Sequence, residues 1–178
     1  EIAPLEVYKF YLEDLRIEKN ELILNYISGR LNTIFWKFLN EKQREDWLPI
    51  SEKILKEALS QKKPKNIKKT IYTLLSQIGY NLSSQKTLFA LWSKTGNIEN
   101  LFLNENDYTA LAMKLAIYKH PKTREILEQQ QIRISNSDRS KRFNWLLPSL
   151  ALKSTTRDAF MISLFEKENR ENESWVQA

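Results

Sequence analysis

The chemistry open to this chain is bounded first by the residues it lacks. Its 178 residues include one histidine, His120, and no cysteine. A site needing two histidines, a thiol nucleophile, a thiolate metal cage or a disulfide frame is therefore excluded. His120 stands before Pro121 among Lys119, Lys122 and Arg124, cations that favour neither a bound metal nor a protonated ring. It reads as a helix-terminal histidine near the last carbonyls of a helix. The three glycines, Gly29, Gly79 and Gly96, stand far apart, so no glycine-rich phosphate cradle or dinucleotide fingerprint can form.

The charged sets read mainly as surface. Lys62, Lys63, Lys65, Lys68 and Lys69 have no aromatic residue among them. Lysine alone reads no base edge, so a solvated loop explains the cluster best. The net charge of +6, concentrated in the middle of the chain, is the one feature favouring nucleic acid, and no nucleic-acid partner is expected. Glu166, Glu168, Glu171 and Glu173 are interleaved with Lys167 and Arg170. That pattern suits a charged helix surface rather than two carboxylates held in contrasting environments. Trp36, Trp47, Trp92, Trp145 and Trp175 are scattered as packing residues are, not grouped as a stacking platform.

The last third holds the more informative set. Asp138, Arg139, Arg142, Arg157, Asp158 and Arg170 lie beside Phe143, Trp145, Phe160 and Trp175. Arginine–carboxylate pairs can tie helices to one another or to a neighbouring domain through bidentate bonds. Ordinary surface pairs, worth about 0–1 kcal/mol each, are the other reading. No catalytic, cofactor-binding or metal-ligating residue is assigned.

The elements that must position these residues are helical almost throughout. Scarce Gly and Pro with abundant Leu, Lys, Glu and Gln favour helix. Leu5, Tyr8, Leu12 and Leu15 give the first amphipathic segment, after Pro4. Asn20 caps a second, whose apolar stripe is expected to comprise Leu22, Ile23, Tyr26, Ile27, Ile34, Phe35 and Phe38. Asn40 and Gln43 suggest a capping box, and Pro49 should interrupt or kink the helix that follows. Residues 61–66 read as a loop, with a helix from Ile67 to Gly79 after it. Ser84 should start another helix, and residues 97–103 one short turn. Asn104 or Asn106 caps a helix that stops or bends at His120-Pro121. Later helices are expected near Ile126–Gln131, at 137–152, at 156–167 and from 170 onward. The fold class is thus all-α: about nine or ten helices in antiparallel, HEAT-like pairs forming an irregular superhelix. The whole chain, 1–178, is expected to be one helical domain. No apolar run approaches the roughly 18 residues of a membrane span, and no secretory signal pattern is visible.

One combination of residues resembles a known family. Asp107-Tyr108, Gln129 to Gln131, Arg133-Ile134, Asn136, Asp138-Arg139 and Arg142-Phe143 follow in the order found in the C-terminal helical region of aminopeptidase N-like zinc metallopeptidases, bacterial type. Arg157-Asp158, Phe160, Asn169-Arg170, Glu173 and Trp175-Val176 continue the likeness. It is strongest over 104–178 and weak over 1–103. The family's His-Glu-x-x-His helix, third glutamate ligand and Gly-x-Met-Glu-Asn segment have no counterpart here.

The resemblance implies a non-catalytic domain that walls the substrate chamber of a parent aminopeptidase and packs on its catalytic domain. The abrupt start and the uncapped final helical pattern fit a fragment of a longer chain, its catalytic domain lying upstream. The zinc would belong to that domain, so no cofactor is expected in this chain, and its partners would be the catalytic domain and peptide substrates. The alternative is a free-standing HEAT-like scaffold that binds a protein partner. A periplasmic and a cytoplasmic home are equally compatible with the sequence.

Overall fold

The computed structural model describes residues 2–171 and 173–176. Among these it contains ten α-helices, two short 3-10 turns and no strand, in keeping with the all-α expectation. The chain divides into two compact units, Glu1–Phe102 and Leu103–Ala178.

The first unit holds α1 (Pro4–Ile17), α2 (Glu21–Lys37), α3 (Glu41–Ser60), α4 (Lys65–Ile78) and α5 (Leu82–Trp92). Pro4 opens α1 at a position where a missing N–H costs nothing. Tyr8, Leu12 and Leu15, four and three residues apart, form its buried face. Helix α2 packs chiefly against α4 and α1, and α3 against α4. The buried face of α2 is Leu24, Ile27, Leu31, Ile34 and Phe35. This corrects the expected stripe, because Leu22, Ile23, Tyr26 and Phe38 are exposed. The start of α2 is apolar almost all round, so periodicity alone could not choose the inward face.

Of the two expectations for Pro49, interruption or a kink, interruption does not occur: α3 runs unbroken over its 20 residues. Two residues on, the Ser51 hydroxyl donates to the Trp47 carbonyl at 2.8 Å and shares a 2.8 Å bond with the Tyr8 hydroxyl. Burial pushes the Tyr8 phenol up to about 12, so α1 and α3 are joined by a neutral, buried hydrogen bond. Lys68 departs from the solvated-lysine reading. It is 1% exposed, because it lies beside Ile67 on the face that also buries Ile71, Leu74 and Leu75.

Gly79 ends α4 with φ −79°; it is required by closeness rather than by handedness. A Cβ there would lie 2.6 Å from the Leu75 oxygen and 2.7 Å from the Ser84 Cβ. Helix α5 starts at Leu82, capped by Asn81 and not by Ser84. Residues 97–103, expected to make one short helical turn, hold a hydrogen-bonded turn, with the Leu101 N–H on the Ile98 carbonyl at 3.0 Å, but no helix. Asn100 there takes a left-handed φ of 61°.

The second unit holds α6 (Glu105–Ile117), α7 (Thr123–Arg133), α8 (Ser137–Leu146), a 3-10 turn Leu147–Leu150 and α9 (Ser154–Ser163). A second 3-10 turn, Lys167–Arg170, and the short α10 (Glu173–Val176) follow. The expected helices at 137–152 and 156–167 thus each give way to shorter segments. Leu111, Leu115, Ile126, Phe143, Leu146 and Leu150 are buried here. Helix α9 has no fully buried residue.

One buried charge ties α3 to the start of α5. Glu52 is paired with Lys56 at 2.5 Å and accepts from the Asn81 side-chain amide at 2.7 Å. Burial by itself would raise the Glu52 carboxyl, but the bonds from Lys56, Ser83 and Asn81 hold it below its ordinary value. A carboxyl depressed by folding adds stability above the unfolded value of about 4.3 and loses it as pH falls through the folded value. The stability margin of wild type over Glu52→Gln should accordingly be full at neutral pH and shrink on acidification. Melting temperatures of both proteins between about pH 3 and 7 measure it; a margin independent of pH would mean that folding leaves the Glu52 pKa unshifted, and a margin that grows on acidification that Glu52 is neutral in the fold.

Candidate functional site

Of the six charged residues singled out in the last third, Arg139, Arg157 and Arg170 form three separate clamps, and the six make no single network. Arg139 Nη1 donates to Glu105 Oε1 at 3.2 Å. The same carboxylate accepts the Ser135 hydroxyl at 2.6 Å and the Ser135 N–H at 3.0 Å. These Ser135 bonds, with Arg139 behind them, lower the Glu105 pKa. Glu105 is the first residue of α6, so the cluster binds that helix start to the turn before α8.

Arg157 Nη1 donates to the carbonyls of Ala151 at 2.6 Å and Leu152 at 2.9 Å, pinning the chain between the 3-10 turn and α9. Arg170 Nη2 donates to the Phe165 carbonyl at 3.3 Å, and Asn169 Nδ2 to the Ser163 carbonyl at 3.0 Å. Among the described residues no hydrogen bond or ion pair joins Asp138 or Asp158 to any of these arginines. Trp145 meets Phe160 edge-on at 5.0 Å and Trp175 at 5.9 Å. Glu166, Glu168 and Glu171 are exposed, and the side chain of Glu173 lies outside the described residues.

Other members of the residue series at 107–143 are fasteners too. Asp107 completes a capping box with Asn104: each accepts the other's backbone N–H, at 3.1 and 2.8 Å. Gln130, fully buried, donates to Thr109 Oγ1 at 3.0 Å and ties α7 to α6. Asn136 caps α8 through the Arg139 N–H at 3.0 Å. Ile134 and Phe143 are core residues.

His120 has a structural task at the α6–α7 corner. Its N–H reaches the Leu115 carbonyl at 2.9 Å, closing α6. Its carbonyl accepts the Thr123 hydroxyl at 2.6 Å, and its Nδ1 accepts the Lys122 N–H at 3.1 Å. Burial first, and the Lys122 charge second, lower its pKa, so the ring stays neutral. A zinc ion finds no fitting donor set in these residues. Nδ1 of the lone histidine is spent, and among the described residues no three His, Cys, Asp or Glu side chains converge.

The arrangement with chemical reach is a groove of about 530 Å3 between α6 and α8. Ala110, Met113 and Ile117 line one side, and Phe143 and Leu146 the other. Lys114, Arg139 and Arg142 border it. Lys114 is half-buried, and loss of water lowers its pKa. Neither it nor Arg142 has a hydrogen bond or ion pair among the described residues, while Arg139 is already engaged by Glu105. The groove therefore offers two uncommitted cations beside apolar walls, which suits a carboxylate carried on an apolar group. Arg142 was visible in the sequence. Lys114 was missed, although its place between Met113 and Leu115 on a helix closing at Ile117 was a usable signal. Glu105 was missed because its partners lie 30 and 34 residues away.

Comparison of the chain with protein-family models, with curated proteins and with solved structures finds no match in any of the three.

The clamps make a contrast that can be measured. Arg157→Ala should destabilise the second unit by about 1–2 kcal/mol, because two charge-assisted bonds to backbone carbonyls are lost. Arg142→Ala should stay within about 0.5 kcal/mol of wild type, since that side chain holds nothing together. Chemical denaturation gives both values. Amide exchange over 147–152 should accelerate only in the first variant.

Proposed function

We propose that this chain is the non-catalytic C-terminal helical domain of an aminopeptidase N-like zinc metallopeptidase. In this reading it is a HEAT-like wall of the chamber in which peptides reach the zinc of an upstream catalytic domain. The observation that carries the proposal is the ordered residue series from Asp107 to Trp175, together with what its members do. Asp107, Gln130, Asn136, Arg139, Arg157 and Asn169 cap helices or fasten them to their neighbours. A series that fixes helix ends and corners is what a helical architecture, rather than a reaction, demands.

Two surfaces support the role of a wall. The groove with Lys114 and Arg142 fits the carboxylate end of a peptide that carries an apolar residue. In the first unit, Phe10, Leu22, Ile23 and Tyr26 are exposed. Phe10 meets Tyr11 at 5.9 Å, and Tyr11 meets Tyr26 at 6.4 Å. Exposed aromatic and aliphatic side chains of this kind suit burial against another domain. The metal's part in peptide hydrolysis is to polarise the carbonyl and activate water, and no residue of this chain enters that step.

The test compares this chain with the same chain extended upstream to its natural start, using aminoacyl reporters and peptides with zinc present. Activity is expected only in the extended protein. Within it, Lys114→Ala with Arg142→Ala should raise KM for peptides with a free carboxylate by about a hundredfold, the loss of two charge-assisted bonds of about 1.5 kcal/mol each. The small reporters should be unaffected. An extended protein that neither binds zinc nor cleaves any substrate would end the peptidase reading in favour of a protein-binding scaffold.

A further inference from the structure

We infer that the groove between α2 and α4 in the first unit binds the main chain of an extended peptide. The cleft has a volume of about 450 Å3. On α4 it is lined by Asn66, Thr70, Thr73 and Gln77, whose spacings of four, three and four put them on one helix face. That stripe runs about 16 Å, enough for roughly five residues of extended chain. Across it, α2 contributes Asn25, Ser28 and Gly29.

Three polar groups in this cleft have bonding capacity to spare. Ser28 is 8% exposed, and its hydroxyl has no hydrogen-bond partner among the described residues. A helical serine would commonly bond back to the carbonyl four residues earlier, and this one does not. Asn25 accepts from Thr70 Oγ1 at 2.5 Å through its Oδ1, leaving both amide N–H donors. Asn66 donates to Glu21, leaving its Oδ1 as an acceptor. Donors and an acceptor thus lie along one cleft, the combination that the C=O and N–H groups of a peptide require. The cleft is open at Gly29, where a Cβ would meet nothing within 4 Å.

The lining disfavours other linear ligands. Lys69 and Glu21 are the charged residues of the lining and have opposite signs, so the lining itself carries no net positive charge for a phosphate backbone. No aromatic ring lines it, so bases and sugar rings have no stacking platform. The inference stands on this groove alone and applies equally to a chamber wall and to a scaffold, so its failure would leave the peptidase proposal intact.

The experiment is an NMR titration of the full chain with a neutral, end-capped hexapeptide of alternating serine and alanine, and with its backbone N-methylated form. The first should give saturable shifts at the Asn25 and Asn66 side-chain amides and at the Ser28 and Gly29 backbone amides. N-methylation, which replaces each main-chain N–H donor by N–CH3, should weaken binding at least about tenfold. Gly29→Leu, placed at an open helical position, should keep the circular dichroism of wild type yet block the cleft, whereas Gly29→Ala should bind as wild type does. Equal binding of the N-methylated peptide overturns the inference. So does the absence of saturable shifts at these residues, their survival in folded Gly29→Leu, or their production instead by a neutral linear oligosaccharide.

Discussion

Every α-helix begins with backbone N–H groups that its own carbonyls cannot reach. In a chain built almost wholly of helices, that constraint recurs at every corner. Here asparagine answers it repeatedly: Asn20, Asn40, Asn81, Asn104 and Asn136 each accept an N–H from the first turn that follows. Two of these starts also reach out to other helices. Asn81 caps α5 with its oxygen while its amide donates to buried Glu52 of α3. Glu105, just after the Asn104 cap, holds Ser135 and Arg139. Local caps thereby become tertiary ties, and the spacing between helices is set at their ends as well as by apolar faces.

That economy accounts for three arginines of the second unit, Arg139, Arg157 and Arg170, which fasten helix ends and turns. Guanidinium groups reach carbonyls that helix ends leave unpaired, as Arg157 does at Ala151 and Leu152. What remains uncommitted is then the more informative part. Lys114 and Arg142 stand beside apolar walls with no structural partner, and Ser28 keeps an unpaired hydroxyl in a polar cleft. The two surfaces differ in chemistry, one cationic and apolar, the other neutral and rich in amides.

Helix type, and most helix starts, are determined by the sequence itself, because a cap and a three-to-four-residue apolar spacing are local properties. Asn20 and Asn40 could be placed with no knowledge of their neighbours. So could the exclusions, since one histidine and no cysteine forbid whole classes of site wherever the chain runs. Tertiary structure decided which face turned inward and which charges were spent. Leu22 and Ile23 are no less apolar than Leu24, yet only Leu24 meets the core, because the direction of α1 and α4 selects the face. Lys68 belongs to a run of lysines by sequence and to the core by packing. Arg139 and Arg142, three residues apart, differ because Glu105 lies beside one of them and not the other. Burial and pairing depend on residues far away in sequence, and only the packed chain brings those residues together.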